Sequence, residues 1–170
     1  MDDPEERFTD LYDRHYRNVL GYALLRAEPA MAEDVTSETF LVAWRRLEDV
    51  PDPPLPWLLG VARNLLRNQR ARRSRGDDLV ARLAQLSTLV EADVAERVAN
   101  RQEALAVLAG LREQDIEAVI LASWFGLSPA QAAQAAGCSA RTYNVRLHRA
   151  RRRLADALHP HAPFTLQEQR

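Results

Sequence analysis

The chain has a single cysteine, Cys138, no lysine and no long apolar run. One thiol excludes an internal disulfide and a multi-thiolate metal site. The longest nearly apolar stretch, residues 118–127, falls far short of the roughly 20 residues that a membrane span requires. The start of the chain, Met1-Asp2-Asp3-Pro4-Glu5-Glu6, is acidic, the opposite of a secretory signal. These absences lead to the expectation of a cytoplasmic, reduced protein with no direct membrane insertion. The four histidines, at 15, 148, 159 and 161, show no metal-ligand spacing with nearby acids. Nucleophile motifs and phosphate-cradling glycine loops are missing as well, so nothing points to an enzyme, a metal or a cofactor.

What is present is charge and helix. Hydrophobic residues make up 46% of the 170 and charged residues 28%, which suits a folded chain rather than a disordered one. The net charge of −1 hides an alternation along the chain. Residues 1–60 carry −7, 61–76 carry +6, 77–120 carry −5 and 121–170 carry +5. All 23 basic residues are arginine. A compositional bias explains that choice, so arginine identity carries little weight.

Asp3, Pro4 and two glutamates form a helix start: a capping carboxylate, a proline at the first position and acids at the positive helix end. Phe8, Leu11, Tyr12, Val19, Leu20 and Ala23 continue at helical spacing until Glu28-Pro29 breaks the run. A second stripe follows, Val35, Thr39 or Phe40, Ala43 and Leu47. Residues 49–56 hold four prolines, which predicts a stiff, non-helical connector. A third helix begins near Pro56-Trp57, with Leu58, Val61, Ala62, Leu65 and Leu66 on its inner face. Beyond Gly76 the chain turns acidic, with a weak stripe of Leu79, Leu83, Leu86 and Val90, and reads as a linker. The helical signal returns with Leu105 and Leu108, then Ile116, Val119, Ile120 and Trp124. The pattern contains no strand alternation and predicts an all-α fold of two small helical domains joined by a flexible linker. The expected divisions are 1–76, a linker at 77–100, 101–158, and a tail at 159–170.

Gly126-Leu127-Ser128-Pro129-Ala130-Gln131 closes one helix and opens another, with Ser128 and Gln131 set for a capping box. A short alanine-rich helix, the turn Gly137-Cys138-Ser139 and a longer basic helix then give the layout of a helix-turn-helix. Ala132, Ala133 and Ala136 are small enough for close helix approach, and Gly137 suits the positive backbone angle that ends a helix. Cys138 reads as a packed turn residue. Tyr143, Leu147, Ala150 and Leu154 form the buried stripe of the last helix by their 4-3-4 spacing. That leaves Arg141, Asn144, Val145, His148, Arg149 and Arg152 outside. Asn and Arg can make paired hydrogen bonds to base edges; Thr142 and further arginines suit phosphates. The bland alternative is a solvated basic helix. Against it, Glu117 and Asp156 are the only acids between 116 and 156, and the turn signals stand independently of charge.

In the first half, Arg63, Arg67 and Arg70 recur at spacings of 4 and 3, with Asn64 beside them. Arg72, Arg73 and Arg75 extend a stripe that can track phosphates. Trp57 is either a core anchor for the helix start or a base-stacking side chain. The second helix turns Asp34, Glu38, Leu41 and Arg45 outward, a mixture that suits a protein partner or, equally, a solvated face.

Residues 32–45, Ala-Glu-Asp-Val-Thr-Ser-Glu-Thr-Phe-Leu-Val-Ala-Trp-Arg, resemble region 2 of the extracytoplasmic-function (ECF, group IV) sigma factors of the sigma-70 family. So do residues 56–64, Pro-Trp-Leu-Leu-Gly-Val-Ala-Arg-Asn. Gly126-Leu127-Ser128 and the run from Arg141-Thr142 to Arg152 resemble region 4. The resemblance implies a promoter-specificity subunit that binds core RNA polymerase, at the beta-prime clamp and beta flap, and is commonly held by an anti-sigma factor. Asp34, Glu38, Leu41 and Arg45 would then face the polymerase. Trp57, Arg63, Asn64, Arg67 and Arg70 would serve the minus-10 element. Arg141, Thr142, Asn144, Val145, His148, Arg149 and Arg152 would serve the minus-35 element. The sequence departs from the family in its short, proline-rich connector at 49–56. It departs again at Tyr143, Asn144 and Val145, where small or basic residues are more usual. Two rivals stand beside this reading: a stand-alone helix-turn-helix regulator with a ligand-sensing N-terminal half, and a helical adaptor with no DNA role.

Overall fold

The Asp3 carboxylate accepts a hydrogen bond from the Glu5 amide at 3.1 Å, with Pro4 first inside, and starts helix α1 (Pro4–Leu24). This computed structural model describes residues 3–72 and 110–158. The proposed linker 77–100, Leu105 and Leu108, the side chains of Arg70, Arg72, Arg73 and Arg75, and the tail 159–170 lie outside what it describes. Helix α2 spans Pro29–Arg45, so that Pro29, read as a break in the first run, is also the first residue of the second helix. One 3-10 turn at Leu47–Asp49 leads into the proline-rich connector, and α3 (Leu55–Arg72) follows. Helices α4 (Glu113–Ser123), α5 (Pro129–Ala135) and α6 (Ala140–Leu158) complete the order. Among the described residues there is no strand, and no helix is long and apolar enough to cross a membrane.

Helices α1, α2 and α3 pack on one another, as do α4, α5 and α6. The α2 stripe is buried as its spacing dictates: Val35, Thr39, Phe40, Ala43 and Leu47. Thr36 and Thr39 are inside because their hydroxyls donate to the Ala32 and Val35 carbonyls, each at 2.7 Å. Two positions differ from the periodic reading. Tyr12 is partly exposed and joins a surface aromatic cluster with Phe8, Tyr16 and Phe40. Trp124, expected on an inner face, is 55% exposed because it caps the C-terminus of α4 and the chain leaves the core there.

The second half follows its local signals closely. Ser128 and Gln131 form a complete capping box at α5, and Gly137 adopts φ +62° at the turn. Ser139 caps α6 by accepting from the Thr142 amide at 3.1 Å. Tyr143, Leu147 and Ala150 are buried, and the Tyr143 hydroxyl donates to the Ala118 carbonyl at 2.8 Å.

The two halves share one core, whereas the linker reading expected their relative placement to be weakly fixed. A single apolar cluster runs from Val19, Tyr22, Leu58 and Leu59 to Leu121, Ala132, Ala135 and Tyr143. Helix α3 lies against α5 at Gly60, where an added Cβ would meet the Ala135 Cα at 3.9 Å. Small residues on both helices permit this approach.

Candidate nucleic-acid interface

Helix α6 presents Arg141, Thr142, Asn144, Val145, His148 and Arg152 at the surface. Their spacing follows from the buried stripe on the other side: with Tyr143, Leu147 and Ala150 fixed inward, positions one and two residues away must turn out. The outward groups combine a bidentate amide, an imidazole and cations with a partly exposed valine, the chemistry of base edges and phosphates. Thr142 is already engaged, its hydroxyl partnered by Ser139 at 2.9 Å.

Arg149 is placed differently from its neighbours. It is half-buried, and its Nη1 lies 3.6 Å from Oδ2 of Asp115, a buried acid on α4. The sequence reading put Arg149 on the outer face from the spacing of the buried stripe, which carries no information about a partner on another helix. Asp115 supplies one from another helix.

Around α3 the arginine stripe divides. Asn64 and Arg67 are exposed, whereas the Arg63 side chain is only 13% exposed. Its Nε donates to Glu117 of α4 at 3.2 Å and 3.5 Å, to Oε1 and Oε2. Glu117 also accepts from the Tyr22 hydroxyl at 2.6 Å and pairs with Arg26 Nη2 at 2.9 Å. Burial pushes the Tyr22 phenol well above its ordinary value; the charge and hydrogen bond of Glu117 add to that, against the opposing pull of Arg26 and Arg63. The buried acid was visible in the sequence only as an interruption between Ile116 and Ala118. Trp57 is partly buried against the core, with the Arg46 guanidinium 6.0 Å from its ring centre, so it anchors the start of α3.

On α2, Asp34, Leu41 and Arg45 are exposed and Glu38 is half-buried. Beside them a groove of about 590 Å³ opens between α1 and α2, lined by Glu5, Phe8, Thr9, Tyr12, Ser37, Phe40, Leu41 and Trp44. Periodicity alone did not single out Trp44, which is exposed and packs edge-on against Phe8. Among the described residues no group of acids, histidines and cysteine is placed to hold a metal ion.

The comparisons with known proteins agree with this layout. Residues 11–76 match the model for Sigma-70 region 2, and residues 101–154 that for Sigma-70, region 4. The chain is 36% identical over 151 residues to the ECF RNA polymerase sigma factor SigL of Mycobacterium tuberculosis, covering 85% of this chain and 84% of that protein. It is 31% identical over 161 residues to the RNA polymerase sigma factor NccH of Alcaligenes xylosoxydans xylosoxydans, covering 89% and 86%. Among solved structures, CnrH in complex with the cytosolic domain of CnrY aligns with a TM-score of 0.61 at 26% identity, over 91% of this chain and 89% of that one. The sigma factor RpoE in complex with the anti-sigma factor NepR, from Bartonella quintana, shares the fold with a TM-score of 0.63 at 24% identity, over 89% and 96%.

Proposed function

Because the chain belongs to the ECF sigma factors of the sigma-70 family, we propose that it binds core RNA polymerase and directs promoter-specific initiation. In this role it is a cytoplasmic DNA-binding subunit and no enzyme, the polymerase supplying the chemistry. The observation that carries the reading is one chain holding both a capped helix-turn-helix with a basic outer face and a three-helix unit with an acidic and apolar face. A stand-alone regulator would account for the first and leaves the second unexplained.

The division we propose is 1–76 for polymerase binding and minus-10 melting, 77–100 as linker, 101–158 for minus-35 recognition, and 159–170 as tail. The family matches at 11–76 and 101–154 support the two domain spans. Helix α6 enters the major groove at the minus-35 element with Asn144, Val145 and His148 toward the bases and Arg141, Thr142 and Arg152 toward the backbone. Arg149 joins them by leaving Asp115. Asn64, Arg67, Arg70 and Arg63 hold the strands at the minus-10 element, Trp57 bracing the helix that carries them. Unstacked, extruded bases bound there would supply the free energy of melting.

Asp34, Glu38, Leu41 and Arg45, with the α1–α2 groove beside them, form the surface for the polymerase clamp. Control by an anti-sigma factor fits this picture, since CnrH was captured with CnrY and the fold-related RpoE with NepR. The test is co-purification with core polymerase. Asp34→Arg with Glu38→Arg should weaken capture at least about tenfold, a loss of about 1.4 kcal/mol, with helicity unchanged. Capture equal to the parent chain would remove this face from the interface.

A further inference from the structure

We propose that Glu117 is an internal substitute for promoter DNA, which occupies Arg63 when the two halves close on each other and makes this closed chain self-inhibited. The inference rests on the sigma-factor reading of α3 and α6 and goes beyond it.

Glu117 is carried by α4, in the second half, yet its three polar partners, Tyr22, Arg26 and Arg63, all come from the first. Its side chain is 2% exposed. A buried carboxylate held by two guanidiniums is a stable arrangement only while both halves are together. Guanidinium groups recognise carboxylate and phosphate oxygens with the same planar donor geometry. Arg63, its Nε held by Glu117 and its side chain only 13% exposed in the seam, must leave the acid to reach a DNA phosphate.

The seam also brings the two reading heads together. A side chain at Gly137, in the turn before α6, would meet Arg63 Nη1 at 3.3 Å. The minus-10 and minus-35 elements are named for positions 25 base pairs apart, which is about 85 Å of duplex at about 3.4 Å per pair. Helix α6, of 19 residues, is only about 28 Å long at about 1.5 Å per residue. A chain with α3 against α5 cannot serve both elements, so the α3–α5 seam must part on the promoter. Opening frees Arg63 as it separates the heads, and one contact thus couples domain placement to DNA affinity.

The test uses the full chain in two arms. In the first, Glu117→Gln removes the charge and keeps the shape. Its affinity for an oligothymidylate of about 20 nucleotides, read by fluorescence anisotropy, should rise about tenfold. Adding Arg63→Ala should erase that gain. No gain, or a gain that survives Arg63→Ala, overturns the proposal. In the second arm Gly60→Cys and Ala135→Cys, in a Cys138→Ser background, are oxidised to lock the seam, where a Cβ at position 60 would lie 3.9 Å from the Ala135 Cα, and closure of the bond is verified by thiol titration. The locked chain should lose promoter-directed transcription with core polymerase and regain it on reduction. Equal transcription by locked and reduced chains overturns the proposal, and this arm decides if Glu117→Gln does not fold. A reduced chain that directs no transcription counts against the sigma-factor reading, and the oligonucleotide arm then decides alone.

Discussion

Tyr22, Arg26 and Arg63 converge on the Glu117 carboxylate, and the Arg26 guanidinium also lies 5.0 Å from the centre of the Tyr22 ring. Deleting the acid removes the buried carboxylate that holds Arg63, while Arg26 keeps its pair with Glu113 at 3.9 Å. Glu117→Ala should therefore lower the unfolding free energy by about 3–5 kcal/mol, the usual cost of breaking a buried pair from one side. Urea unfolding followed by circular dichroism checks this; a loss below about 1 kcal/mol would mean that the site is solvated, as surface pairs are. Tyr22 gives a pH signature. Its folded value is raised above the unfolded value of about 10, so its contribution is complete below that pH. The contribution is lost as pH rises through the folded value. A Tyr22→Phe chain should start less stable, by about 1.5–3 kcal/mol for a hydrogen bond to a charged acceptor. Above pH 10 it should lose less stability than the parent. Parallel alkaline profiles of the two chains would contradict the assignment.

Elements divide by whether their determinants are local. The caps at Asp3 and Ser128, the turn at Gly137 and the buried stripes of α2 and α6 were legible, because each rests on residues within a turn or two; the cap that Ser139 makes was read only as part of that turn. The outer face of α6 was legible for the same reason, apart from Arg149, whose partner Asp115 comes from α4. That difference separates three substitutions. Asn144→Ala should cost about 1–3 kcal/mol on the cognate minus-35 duplex and relax preference at one base pair. Arg152→Ala should weaken all sequences alike and flatten the salt dependence. Arg149→Ala should in addition destabilise the free protein, since Asp115 Oδ2 is buried without a hydrogen-bond partner among the described residues and has the Arg149 cation 3.6 Å away. Titrations against single-base variants at several salt concentrations, with a melting curve for each chain, distinguish them. A position-specific loss from Arg152→Ala would shift the register of the reading head by one turn.

At the scale of the molecule, the two-unit plan was legible from the charge alternation and the proline and glycine breaks, but the seam between the units was not. Gly60 and Ala135 looked like ordinary helix residues, Ala132 was read only for packing within the second half, and the contacts of Glu117 reach Arg63 and Tyr22 across the proposed linker. Pairings that distant leave no periodic trace in either segment. Proteolysis within 77–100 should accordingly yield two fragments that co-elute on gel filtration through this seam; fragments that elute apart would show that the linker holds the halves together. Promoter selection is read out by mapping transcript 5′ ends. Purified chain is added to core RNA polymerase on genomic fragments and new starts are located. Discrete starts that require this chain should appear, each preceded by shared motifs centred near positions −10 and −35. Core polymerase giving the same starts with and without the chain, while the chain alone binds duplex operators as a dimer, would contradict it.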